Sequence, residues 1–191
     1  MSTAADRFRE GRHRADPRRL GSSIAVVGGL VFAFANGDGA IDQPWLLGLR
    51  ILAAALAALC VWRLFVAPRP LGAPATPHRF AWLLYLCSVA AMLAAIAGGR
   101  ALLAAIGAEH AAPAWIAVCV GAHFVPFAIA FRERMLTRLG VSVAVVGAVG
   151  VALAIALGAP WGDLGAILAG IVQLTVIAAW SLRGRGGAPS D

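Results

Sequence analysis

Six apolar runs divide the chain, at about 20–36, 45–66, 80–99, 114–131, 139–157 and 162–182, with polar and charged positions gathered between them. Apolar residues fill each run rather than alternating with polar ones, so the runs read as helices, not half-buried strands. A helix needs about 20 such residues to cross a hydrocarbon core of roughly 30 Å at 1.5 Å per residue. The pattern predicts an all-α polytopic transmembrane bundle of six helices, arranged as three hairpins, over residues 20–182. Residues 1–19 read as a disordered basic cytoplasmic tail and 183–191 as a second cytoplasmic tail. The third run can be extended as far as Ile106, which would tilt it or leave an interfacial extension.

Composition strengthens this picture. The hydrophobic fraction is 61% and charged residues make up 13%, against about 45–50% and about 25% in ordinary globular domains. The net charge of +7 is carried by sixteen Arg and no Lys, a usage that fits a GC-rich bacterial genome. Most Arg flank apolar runs instead of forming a soluble basic face, so nucleic acid is not an expected partner. Fourteen of them fall on one side if the runs alternate in direction; Arg50 and Arg100 alone fall on the other. The positive-inside rule then expects a multi-pass protein of the cell inner (cytoplasmic) membrane with both termini in the cytoplasm.

Every even-numbered run is preceded on the less basic side by proline and tryptophan: Pro44-Trp45, Pro113 with Trp115, and Pro160-Trp161. Proline suits a first helical turn and tryptophan the headgroup boundary. The first and fifth runs begin alike, Ser23-Ile24-Ala25-Val26-Val27-Gly28 against Ser142-Val143-Ala144-Val145-Val146-Gly147, although Ala, Val and Gly match readily by chance. Basic residues before the first run, followed by Ala33-Phe34-Ala35, are similar to a cleavable signal. With five more runs behind it, this first helix is expected to be retained.

Polar residues inside the runs are the candidates for chemistry, because ionisable groups at that depth are expensive and face the bundle interior. His123 falls near the middle of the fourth run, and Pro126 frees the carbonyl one turn earlier. Such an imidazole can serve a proton relay or a ligand, or bond structurally between helices. The segment Gly121-Ala122-His123-Phe124-Val125-Pro126 resembles that of uncharacterised small multi-spanning bacterial membrane proteins with a G-x-H-F-x-P motif. The resemblance covers about eight residues and implies a membrane bundle without implying an activity. Arg50 lies one turn into the second run with Asp38 and Asp42 on the same side, as a capping ion pair or an anion-recognising gate. Gln173 and Thr175 in the sixth run, with Tyr85 and Ser88 in the third, are candidates for interhelical hydrogen bonds. A contact between Gln173 and His123 would make one buried polar cluster.

Small residues recur every fourth position at Ala25, Gly29 and Ala33, at Ala144, Ala148, Ala152 and Ala156, and at Gly162, Ala166 and Gly170. These mark expected packing faces. Cys60, Cys87 and Cys119 lie inside apolar runs without C-x-x-C spacing, so neither a disulfide framework nor a zinc site is expected. No phosphate-binding glycine loop and no nucleophile elbow is present, and no metal or cofactor is expected. The residue inventory therefore points to a non-enzymatic scaffold, partner subunit or lipid-interacting factor. Its partners would be the bilayer, anionic headgroups at the Arg-rich face, and a second copy or other membrane protein. The alternative is a small transporter or channel subunit with a polar path past His123, Arg50 and Gln173.

Overall fold

Asp16 and Pro17 open the first helix. The Asp16 carboxylate accepts a hydrogen bond from the Arg18 amide at 2.9 Å, satisfying a donor the helix leaves unpaired, and Pro17 fits the first turn. The computed structural model of the protein describes residues 16–71 and 75–183. It contains α1 (Pro17–Phe34), α2 (Gln43–Val61, continued by a π-helical turn, Trp62–Val66) and α3 (Ala81–Ala105). A 3-10 turn (Glu109–Ala111) leads into α4 (Ala112–Phe131), followed by α5 (Arg134–Leu157) and α6 (Pro160–Leu182). No strand occurs among the described residues. Arg18 and Arg19, read above with the tail, lie inside α1; the rest of the expected tails, 1–15 and 184–191, falls outside the described residues.

Five of these helices are long and apolar enough to cross a membrane, and the chain is an all-α membrane bundle. The exception is α1, whose apolar part, residues 20–34, would reach only about 22 Å at 1.5 Å per residue. Proline occupies one of the first two positions of α2, α4 and α6, as the Pro/Trp pattern predicts. The third run continues as one helix to Ala105. Trp45, Trp115 and Trp161 stand at the starts of α2, α4 and α6, while Trp62, Trp82 and Trp180 stand at the end of α2, the start of α3 and the end of α6.

At the centre of the bundle is α6, which packs against α1, α2, α4 and α5. One seam of α2, formed by Leu46, Ala53, Ala57, Cys60 and Leu64, buries itself with Ile167, Leu174 and Ile177 of α6 and Ala25 and Ala33 of α1. In lipid this association gains little from apolar burial and depends on close fit. Glycines provide that fit. A Cβ on Gly170 would stand 2.5 Å from the Gly29 carbonyl oxygen of α1, and one on Gly140 of α5 would stand 2.6 Å from that of Gly121 in α4. The expected faces on α1 and α6 are buried as read, but on α5 only the start of the Ala144 row is near a neighbour. Ala148, Ala152 and Ala156 are exposed, and the seam is Gly140, Val143, Gly147, Gly150 and Ala154. A strict every-fourth row drifts about 40° per step around a 3.6-residue helix, whereas alternate steps of three and four stay in register.

At the edge of the bundle, α3 packs on α4 and the 3-10 turn. The Arg18 and Arg19 end of α1 meets the segment after α2: Arg19 donates to the Leu64 carbonyl at 2.8 Å and the Arg69 carbonyl at 2.7 Å, and Arg18 to the Leu71 carbonyl at 3.0 Å. Arg69 in turn donates to the Leu182 carbonyl at the end of α6.

Candidate functional site

The polar residues of the membrane interior do not converge; each sits on its own helix seam. His123 faces α3. Its Nδ1 lies 3.0 Å from the Ser88 hydroxyl, which also donates to the Tyr85 carbonyl at 2.9 Å. Serine has one proton to give, and a carbonyl can only accept. Both contacts are satisfied together when Ser88 donates to Tyr85 and His123 donates Nδ1–H to Ser88. Nε2 then keeps its lone pair and has no hydrogen-bond partner among the described residues. Around the imidazole stand the rings of Tyr85, Phe124 and Phe127, with centroids 6.3, 5.6 and 5.9 Å away. Pro126 lies one turn beyond, inside an unbroken α4.

Gln173 belongs to the opposite seam, between α6 and α1. Its Nε2 donates to the Ala25 carbonyl at 2.6 Å, and Gly28 leaves room for the amide. The side chain is buried, and its Oε1 has no partner among the described residues. Nearby, the Cys60 thiol is 3.5 Å from the Leu174 carbonyl, so α1, α2 and α6 meet through one short polar patch. The structure does not bring Gln173 and His123 together: sequence position places both near mid-depth but says nothing of the angle around the bundle. Thr175 bonds within its own helix, to the Ile171 carbonyl at 2.8 Å.

Arg50 works at the opposite end from Arg18 and Arg19. One guanidinium nitrogen reaches the Phe34 carbonyl at 3.1 Å, the Asn36 carbonyl at 3.3 Å and the Asp38 carboxylate at 3.0 Å. Its charge also lies 5.8 Å from the centroid of the Phe34 ring. The arrangement places a cation on the terminal carbonyls of α1, where the helix dipole favours it. Because Asp38 is largely exposed, the ion pair itself contributes little, under about 1 kcal/mol. Asp42 is the residue before α2 and makes no side-chain cap.

Three features escaped the sequence reading. Arg63, counted there only as an orientation charge, sits in the π-helical turn with Nε and Nη2 buried and unpartnered among the described residues. His110 Nε2 is 2.9 Å from the Ala154 carbonyl, pinning the 3-10 turn to α5. The indole of Trp115 lies over Gly99 and donates to the Ala95 carbonyl at 3.0 Å, so it fastens α3 to α4.

Cavities at the ends of the bundle are lined by other residues than His123, Gln173 and Arg50. No cluster of three metal-ligating side chains occurs among the described residues. No family model, curated protein or solved structure matches this chain.

The exposed side of α3 carries a regularity of a different kind. Cys87, Ala91, Ala94, Gly98, Ala101 and Ala105 recur at steps of four and three, and all are exposed. That spacing holds one stripe along a helix at the 3.5-residue period of helix–helix seams. Large apolar residues (Leu83, Leu86, Leu93 and Leu102) flank it and are also exposed.

Proposed function

We propose that the chain is a non-enzymatic partner subunit of the cell inner membrane, and that α3 is the surface on which another transmembrane helix packs. The observation that carries this reading is the exposed small-residue stripe on α3. Lipid-facing helix surfaces have no need of small side chains, whereas close helix pairs do. Supporting it against transport, His123, Gln173 and Arg50 each bond within a separate seam. Three hairpins with both termini in the cytoplasm remain part of the proposal. The bonds that tie Arg18 and Arg19 to residues 64–71, and Arg69 to Leu182, support it by gathering Arg-rich ends on one side.

The test uses a native thiol. Cys87 lies on the stripe and is exposed, while Cys60 and Cys119 are buried. Mild thiol cross-linking in native membranes should give one discrete product, whose mass separates a second copy from a different subunit. Gly98→Leu should abolish it, since a Cβ there meets nothing in the chain's own fold. A product that survives Gly98→Leu, or no product at all, would overturn the reading. If His123→Ala instead abolished solute flux in proteoliposomes with folding intact, the transport alternative would replace it.

A further inference from the structure

We infer that the groove between the start of α5 and the end of α6 is a built site for the phosphate headgroup of an anionic phospholipid. Its cavity, about 540 Å³, has Arg134, Arg138 and Ser142 on one wall and Val176, Trp180 and Arg183 on the other. Residues 134, 138 and 142 follow one face of α5; 176 and 180 follow one face of α6, and Arg183 is the residue that ends it. Glu133 and Met135 lie at the mouth, where the Glu133 carboxylate accepts from the Met135 amide at 3.5 Å.

Charge identifies the occupant. Arg134, Arg138 and Arg183 have no ion pair or side-chain hydrogen bond among the described residues, although they surround a single cavity. Glu133 offsets one of the three, and no other acidic residue lines the groove. The Leu182 carbonyl, which would otherwise aim negative charge toward this end, is bonded by Arg69. The two non-bridging oxygens of a phosphodiester accept from forked guanidinium donors, and the excess positive charge disfavours a cation.

Position distinguishes a lipid from a soluble anion. The groove lies at the ends of two membrane-spanning helices, and its inner part is apolar, with Val176, Ala179 and the half-buried Trp180. Basic pockets between helices with an aromatic at headgroup level take lipid headgroups, the acyl chain continuing along the helix seam. This inference stands apart from the α3 interface, which is on a helix that contributes nothing to the groove.

The test is binding of phosphatidylglycerol to the purified protein in a neutral detergent, measured by native mass spectrometry. Arg138→Gln with Arg183→Gln should weaken it about 25-fold, taking about fivefold for each Arg. Arg79→Gln with Arg100→Gln removes the same charge elsewhere and should leave it unchanged. Equal weakening in the two variants would reduce the site to general charge attraction and overturn it. Phosphatidylcholine binding as tightly would leave only an apolar groove, and displacement by millimolar glycerol phosphate would make the ligand a soluble phosphate; either result also overturns the inference. A thermal melt of each variant guards against misfolding, and the Cys87 cross-link reports the α3 interface separately.

Discussion

The two helices α6 and α3 have nearly the same mean hydropathy, 1.9 and 2.0 over their most apolar windows, yet 56% of that window is buried in α6 and 11% in α3. Hydropathy says that both cross the membrane and is silent on which lies at the centre. The distinction is in the small and polar residues. Gly162, Gly165, Ala166, Ala169 and Gly170 let four neighbours approach α6, and the buried Gln173 has a partner carbonyl waiting in α1. On α3 the small residues are mostly exposed, including the Cys87 to Ala105 stripe, while Ser88 hydrogen-bonds to His123 and the Tyr85 ring packs on Phe127 of α4. Similar residues therefore have different consequences: filling space at Gly170 of α6 meets α1, whereas filling it at Gly98 of α3 meets nothing in the chain's own fold.

The sharpest way to test that contrast is a matched pair of substitutions. Gly170→Leu drives a side chain into the Gly29 carbonyl and Phe32, and should cost on the order of 3 kcal/mol or prevent assembly, as read by thermal unfolding in detergent. Gly98→Leu should change the same melt by less than about 0.5 kcal/mol. Equal losses in the two would erase the difference between centre and edge. A smaller effect is expected at the α3–α4 seam, where Ser88→Ala removes the acceptor of His123 Nδ1–H and should cost about 0.6 kcal/mol. Smallest is Asp38→Asn, which leaves the Arg50 contacts with the Phe34 and Asn36 carbonyls and should shift stability by under about 0.5 kcal/mol, most visibly at low salt.

Helix number and helix starts were legible because they depend on local chemistry: apolar length, Pro in a first turn, Trp near a boundary. Even the true start of α1 was written in Asp16-Pro17, a cap followed by a first-turn proline, but two arginines masked it from a hydropathy reading. What could not be read was azimuth. His123 and Gln173 share a depth and face different neighbours, and the α5 row of alanines turned out to lead away from the seam. The Ser88 partner of His123 lies 35 residues away, and the Arg134, Arg138 and Arg183 groove joins helices through positions with no local signal of one another. Such pairings come from how helices rotate against each other, which depends on every neighbour at once.

Gln173 bonds to Ala25 across 148 residues, and α1 finds its main packing partner in α6. During synthesis, α1 would therefore enter the bilayer long before the helix that receives it exists. It is also the shortest of the six and carries two arginines in its first turn. The latch from Arg19 to residues 64 and 69 becomes available once α2 has been made, much earlier than α6. The Arg19 contacts with residues 64 and 69 thus join α1 to the α2–α3 segment through chain that is made before α6.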